Sequence, residues 1–167
     1  MTENKFENKM DADSYFMSEA LSERQKTDDP KGKIVQQSAV GAVITKEEKI
    51  LSRSANILPP ALKSQMQRNG EAVTEESRYH LIEHAERAAI FKAHLSNSDL
   101  SGATIYCTRF PCSDCARAIV WAGIKRAVFA GGFAGEQRWL ASQRAALKIL
   151  RDSGVTVRYL SPLKIKL

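Results

Sequence analysis

The chain reads as an α/β protein: a three-layer α/β/α sandwich around a five-stranded mixed sheet. Three observations predict this. From residue 84 onward helical and strand patterns alternate: helix 84–95, strand 103–108, helix 112–122, strand 126–129, helix 136–152 and strand 155–160. Right-handed crossovers place such strands parallel, with the helices on the faces of the sheet. Upstream, two short apolar runs, 39–45 and 50–53, flank the charged turn Lys46-Glu47-Glu48 and read as a hairpin, which makes the first strand pair antiparallel. Finally, 167 residues that are 43% hydrophobic and 26% charged have the length and composition of one globular domain with a full core. That domain is expected to span 1–167, with residues 1–11 a flexible N-terminus.

The remaining elements come in chain order. Ala12, Tyr15, Phe16, Ala20 and Leu21 fall at helical spacing and predict a first amphipathic helix over 12–24. The polar stretch 25–36, with Asp28-Asp29-Pro30-Lys31-Gly32, reads as a loop. After the hairpin, 55–79 carries Pro59-Pro60 and Asn69-Gly70 and reads as a long connection, a place where lids and binding loops are found. The last helix has Leu140, Leu147 and Leu150 on one face and Arg144, Lys148 and Arg151 on another.

Charge is unevenly placed. Residues 1–33 carry six Lys/Arg against eight Asp/Glu, whereas 117–167 carry ten against two, within a net charge of +6. Such a field attracts a phosphate-bearing substrate or a nucleic acid, although a solvated face accounts for it equally simply. No apolar run is long enough for a membrane span. The start, Thr2-Glu3-Asn4-Lys5, has no apolar core of a secretory signal, so a cytoplasmic protein is expected.

The chemistry sits in two short stretches, His84-Ala85-Glu86 and Pro111-Cys112-Ser113-Asp114-Cys115. A structural zinc site closes with four protein ligands, whereas a catalytic one keeps a position open for water. His84, Cys112 and Cys115 make three, and mixed sulfur and nitrogen ligation favours zinc, one ion per chain. Both cysteines fall in the first turn of a helix, whose partial positive charge favours thiolates. Glu86, two residues beyond His84, can flank the metal without binding it and serve as a proton shuttle for water activated there. H-x-E…P-C-x-x-C is the pattern of zinc-dependent nucleobase deaminases. A C-x-x-C alone would read as a redox pair or half a zinc ribbon, which leaves His84-x-Glu86 unexplained. His80-Leu81-Ile82-Glu83-His84 also fits the H-x-x-E-H pattern of inverzincin metalloproteases, which requires one continuous helix and gives the cysteines no role. Cys107, inside the apolar run 103–108, reads as a small core residue.

With these residues in hand, the chain resembles the cytidine/deoxycytidylate deaminase family, most like its deoxycytidylate branch. Val40-Gly41-Ala42-Val43-Ile44 looks like the first-strand motif, Arg78-Tyr79 like the basic-aromatic pair ahead of the histidine, and Cys115-Ala116-Arg117-Ala118-Ile119 like the helix after the cysteines. The resemblance implies a cytidine deaminase-like fold, zinc held by His84, Cys112 and Cys115, and Glu86 as the proton shuttle. It also implies substrate contacts from Asn56 to the sugar and from the backbone at Ala85 to the base, with Tyr79 and Phe133 as further substrate-binding candidates. A homo-oligomer is expected by resemblance only. The chain departs from the branch in three places: Asn56 lacks its flanking glycines, Gly131-Gly132-Phe133 stands where the branch commonly has Asp-Lys-Tyr, and the loop 57–79 lacks the extra cysteines and histidines that some members use for a second, structural zinc.

The leading function is zinc-dependent hydrolytic deamination of a cytosine-type nucleotide or nucleoside, releasing ammonia. Arg53, Lys63, Arg68 and Arg78 are candidate phosphate contacts. The alternatives are a deaminase of guanine or of a tRNA base, for which the basic face of the last helix would track a phosphate backbone, and a catalytically inactive zinc-stabilised binding module. Glu86 separates the last from the others, because a module that only binds has no use for a proton shuttle. The expected partner is a small molecule; nucleic acid is not favoured and no membrane is expected.

Overall fold

The structure is a computed structural model that describes residues 11–35, 38–132 and 137–160. Nearly all of the expected N-terminal extension, and Phe133, lie outside these residues. Helix α1 (Ala12–Glu23) starts at Asp11, whose carboxylate accepts the N–H groups of Asp13 and Ser14 at 2.9 and 3.3 Å. A 3-10 turn (Arg24–Lys26) follows, then the short helix α2 (Pro30–Ile34), capped by Asp29 and started by proline. Part of the polar stretch expected to be a loop is therefore helical.

Strands β1 (Gly41–Lys46) and β2 (Lys49–Ala55) form the expected hairpin. Its two-residue turn sets Glu47 and Glu48 at φ of 50° and 59°, the mirror-image turn that matches strand twist. Between β2 and residue 84 the chain is not a plain loop. Helix α3 (Pro60–Asn69) ends at Gly70, which takes a left-handed φ of 69°, and a single turn, α4 (Arg78–Leu81), follows. Of α3 only Met66 is buried, so it carries no apolar stripe; its proline start, good helix formers and glycine stop define it instead.

The second half alternates as expected: α5 (Ala85–Leu95), β3 (Thr104–Cys107), α6 (Ser113–Trp121), β4 (Arg126–Phe129), α7 (Gln137–Asp152) and β5 (Thr156–Tyr159). The sheet order is β2-β1-β3-β4-β5, with β1 antiparallel to β2 and β3, and β3, β4 and β5 parallel. This is the predicted five-stranded mixed sheet.

Period-two alternation sorts the strand residues into two cores. Ala42, Ile44, Ile105, Cys107, Ala127 and Phe129 face α5, α6 and α7 through Ala89, Ala116, Ile119, Ala146 and Leu150. Val43, Tyr106 and Val128 face the other way, onto Phe16, Met17 and Ala20 of α1. Cys107 is the core residue expected of it. Helix α1 lies so close to β1 that a Cβ on Gly41 would sit 2.0 Å from the Ala20 carbonyl oxygen, which explains the glycine of the first-strand motif. Polar contacts fasten the same layer. Asp13, 5% exposed, accepts from the Tyr106 hydroxyl at 2.9 Å and from Arg126 at 2.7 and 2.5 Å, and it also pairs with Arg158.

Candidate active site

The two motif stretches meet where α5 and α6 begin. Cys112 is the N-cap of α6 and follows β3 by a short loop, the strand-to-helix junction expected of an α/β ligand site. His84 is the N-cap of α5 and reaches the same place by another route. It follows α4 and an isolated bridge in which Glu83 N–H donates to the Ile57 carbonyl at 2.8 Å, so chain beyond β2, not a sheet strand, sets its position. Residues 80–84 do not share one helix, because α4 ends at Leu81 and α5 starts at Ala85; the H-x-x-E-H pattern is accidental. Among the described residues, His84, Cys112 and Cys115 form the one cluster of ligand-type side chains that could hold a metal ion.

The fit of zinc to this cluster is testable from distances. With Zn–S near 2.3 Å and Zn–N near 2.1 Å, tetrahedral geometry separates a sulfur from a nitrogen ligand by about 3.6 Å. His84 Nδ1 lies 3.6 Å from Cys112 Sγ and 3.5 Å from Cys115 Sγ. The electrostatics agree. A hydrogen bond from Cys115 pulls the Cys112 thiol down to about 3, against burial and with help from His84. That bond, together with burial, pushes Cys115 up. The hydrogen bond to Cys112 also lifts His84, while burial opposes it. Three lone-pair donors thus converge on one point and share protons, which is what a cation would relieve.

Glu86 is 3% exposed and lies in the first turn of α5. Burial pushes its carboxyl up, with the His84 charge pulling the other way. Glu86, His84, Ala85 and Cys112 line one cavity of about 120 Å³, together with Asn56, Arg78 and Tyr79. Every described member of the predicted site except Cys115, which lies buried beneath it, opens onto that cavity. Among the four candidate phosphate contacts only Arg78 lines it. Arg53 pairs with Glu19, Lys63 with Asp28, and Arg68 with Gln65 on the surface.

Asn56 is more committed than a sugar contact needs to be. Its side-chain oxygen accepts from Thr27 Oγ1 at 2.8 Å and from Val40 N–H at 3.0 Å, while its NH₂ donates to Asp29 at 3.4 Å and to the Ser38 carbonyl at 3.3 Å. All four of its hydrogen-bonding positions are used within the protein. Asp29 in turn grips Arg78 through two parallel bonds of 2.8 and 2.6 Å, and the Arg78 guanidinium lies 4.6 Å from the Tyr79 ring.

Sequence reasoning missed Asp29, Phe110, Arg138, Trp139 and Gln143, all on the cavity wall. Trp139 meets the His84 ring edge-on at 6.5 Å, and Arg138 lies over both Tyr79 and Trp139, donating to the Tyr79 hydroxyl at 3.1 Å. An available signal was Arg138-Trp139 at the start of a helix that follows a parallel strand, the same kind of junction at which Cys112 lies.

Fold and donor set together define an α/β sandwich with a cluster of metal-ligand type at the start of two helices. Residues 10–131 match the model of the cytidine and deoxycytidylate deaminase zinc-binding region, and the chain belongs to this family of hydrolytic deaminases. It is 30% identical to mouse deoxycytidylate deaminase over 152 residues, covering 89% of this chain and 79% of that one. It is 33% identical over 132 residues to an uncharacterized deaminase of Aliivibrio fischeri, covering 75% of this chain and 81% of the other. The crystal structure of dCMP deaminase from cyanophage S-TIM5 in apo form superposes with a TM-score of 0.67 at 22% identity, covering 89% and 96% of the two chains, and so shares the fold. Among the described residues, no helix is long and apolar enough to cross a membrane.

Proposed function

We propose that this chain is a zinc-dependent hydrolytic deaminase of a cytosine-type nucleotide, with His84, Cys112 and Cys115 holding the ion and Glu86 moving the protons. The observation that carries this reading is the convergence of His84 Nδ1 on both sulfurs at the spacing of a tetrahedral site, with a buried carboxylate on the same cavity. When bound, zinc supplies Lewis acidity at its open position, which makes water a competent nucleophile near neutral pH. Glu86 takes a proton from the attacking water at its carboxylate oxygen. It delivers that proton to the ring nitrogen N3 as the C4–O bond forms, then takes the remaining proton of the new hydroxyl and delivers it to the amine, so that C4 becomes a carbonyl as the C4–N bond breaks and ammonia leaves. Its upward shift suits a group that must both accept and deliver a proton.

The first-turn N–H of Ala85, a helix-start donor, holds the base carbonyl, and Trp139 and Phe110 wall the ring. Tyr79 shields the mouth, and Asn56 fixes the wall on which the sugar rests. Lys31, Arg78, Arg109 and Arg138 line the cavity against Asp29 and Glu86, a balance that favours a substrate carrying a phosphate over the free nucleoside. Residues 1–167 would act as one deaminase domain, cytoplasmic and homo-oligomeric; light scattering tests the assembly. The direct test is ammonia release from zinc-loaded protein across cytosine, deoxycytidine, deoxycytidylate, guanine and a tRNA hairpin. Deoxycytidylate should be turned over fastest, and Glu86→Gln should lower kcat about 10²–10⁴-fold while zinc stays bound. Turnover of guanine or the hairpin alone overturns the substrate assignment; full activity in Glu86→Gln overturns the shuttle.

A further inference from the structure

Next to the ligand cluster lies a cation that the deamination chemistry leaves unused. Arg87 follows Glu86 in α5 and points sideways, not into the cavity: it is absent from the cavity lining. Its Nη1 donates to Cys115 Sγ at 3.8 Å, and the same nitrogen is 3.8 Å from an Asp114 carboxylate oxygen. Its Nε donates to Glu83 Oε1 at 2.6 Å, with Nη2 on the same oxygen. Glu83 Oε1 also accepts the backbone N–H of His84 at 2.9 Å. One chain of contacts therefore runs from the backbone of one ligand, through Glu83 and Arg87, to the sulfur of another.

We propose that Arg87 is a positioning residue that acts through Cys115: Glu83 fixes its guanidinium, which holds the buried sulfur in ligand geometry and offsets its charge. The inference rests on the zinc reading above. Two thiolates balance a divalent ion, so the Glu86 carboxylate leaves the buried centre one negative charge in excess, and a fixed cation beside the sulfur reduces the cost of burying it. The shape of the side chain matters as much as its charge. A planar fork can face a carboxylate with one edge and a sulfur with the other, whereas an ammonium offers a single point. Glu83 is itself fixed by the paired backbone at Ile57, so the guanidinium is held from a rigid support.

Chelator competition on the full-length chain, comparing wild type, Arg87→Met, Arg87→Lys and Glu83→Gln, reads zinc affinity without reference to turnover. Arg87→Met keeps the length of the side chain and removes both contacts, so its zinc affinity should fall about 10–100-fold. Arg87→Lys should recover part of that loss, and Glu83→Gln should fall between wild type and Arg87→Met. Cobalt substitution adds a spectroscopic readout: the thiolate-to-cobalt charge-transfer band should shift or weaken in Arg87→Met. Zinc affinity within about twofold of wild type and an unchanged cobalt spectrum in Arg87→Met overturn the proposal. If Arg87→Met does not fold, Arg87→Lys and Glu83→Gln decide in the same way, since both binding zinc like wild type refutes it. A wild-type chain that binds no zinc, or one whose binding survives His84→Ala, instead refutes the zinc reading on which the inference rests.

Discussion

Replacing Asp13 with asparagine tests whether the polar fastening of α1 carries stability. The carboxylate accepts from Tyr106 and Arg126, pairs with Arg158, and is almost fully buried. Breaking a fully buried ion pair costs about 3–5 kcal/mol, but here the arginine side chains are 32% and 43% exposed and regain water. Asparagine can still accept from Tyr106, while its NH₂ faces a guanidinium. The balance is a loss of about 3 kcal/mol, or roughly 6–12 °C in Tm for a chain of this length.

The pH dependence gives a sharper signature. Burial pushes the Asp13 carboxyl up, but the hydrogen bonds from Arg126 and Tyr106 and the charges of Arg126 and Arg158 outweigh it and hold the group below its ordinary value of 3.8. A carboxyl depressed in the folded state adds stability above its unfolded pKa and loses that contribution as pH falls through the folded one. The gap between wild type and Asp13→Asn should thus be constant from about pH 7 to about 5 and shrink below about 4, where the wild-type carboxyl takes up its proton. Urea unfolding followed by far-ultraviolet circular dichroism measures both. A loss under about 0.5 kcal/mol at neutral pH, or a gap that does not narrow in acid, would show that the cluster only decorates the interface between α1 and the sheet.

Two further substitutions probe packing and the cavity wall. Gly41→Ala drives a methyl group into the Ala20 carbonyl, a backbone atom that cannot move aside, and should cost about 3 kcal/mol in urea unfolding; an alanine variant as stable as wild type would place α1 farther from β1. Arg78→Met strands the buried Asp29 carboxylate, so it should cost about 3 kcal/mol, and most of that loss should vanish when Asp29→Asn is added. Additive losses in that double-mutant cycle would mean the two side chains do not act as a pair.

Residues whose signal is local were legible in the sequence. The strand-sized apolar runs at 39–45, 50–53, 103–108 and 126–129 and the alternation of helices with strands define the sheet and its layers, whereas which strand residue faces which layer came only with the structure. The ligand cluster was legible because its chemistry is concentrated at two helix starts, where spacing along the chain directly fixes spacing in space. Helix α3 escaped because its propensity is not backed by an apolar stripe, and its Pro-Pro and Asn-Gly flanks read as turns when they are its boundaries. The cavity wall escaped for a different reason. Asp29, Phe110 and Trp139 come from three distant segments, and their juxtaposition depends on how the helices cross the end of the sheet, which no local pattern encodes.

Specificity illustrates the same division through Asn56. As the residue resembling a sugar contact, it invites a one-residue account of substrate choice. Its amide instead joins Thr27, Asp29, Ser38 and Val40, and Asp29 passes the constraint on to Arg78. A hydroxyl of the substrate that accepts from the Asn56 amide would replace one of its two long bonds, the 3.4 Å bond to Asp29 or the 3.3 Å bond to the Ser38 carbonyl, and so loosen one of the two segments it ties together. On the function proposed above, substrate choice in this chain would be distributed: the reacting end would be held by residues that keep their spacing from the sequence, and the recognising end by a network whose members share their hydrogen bonds.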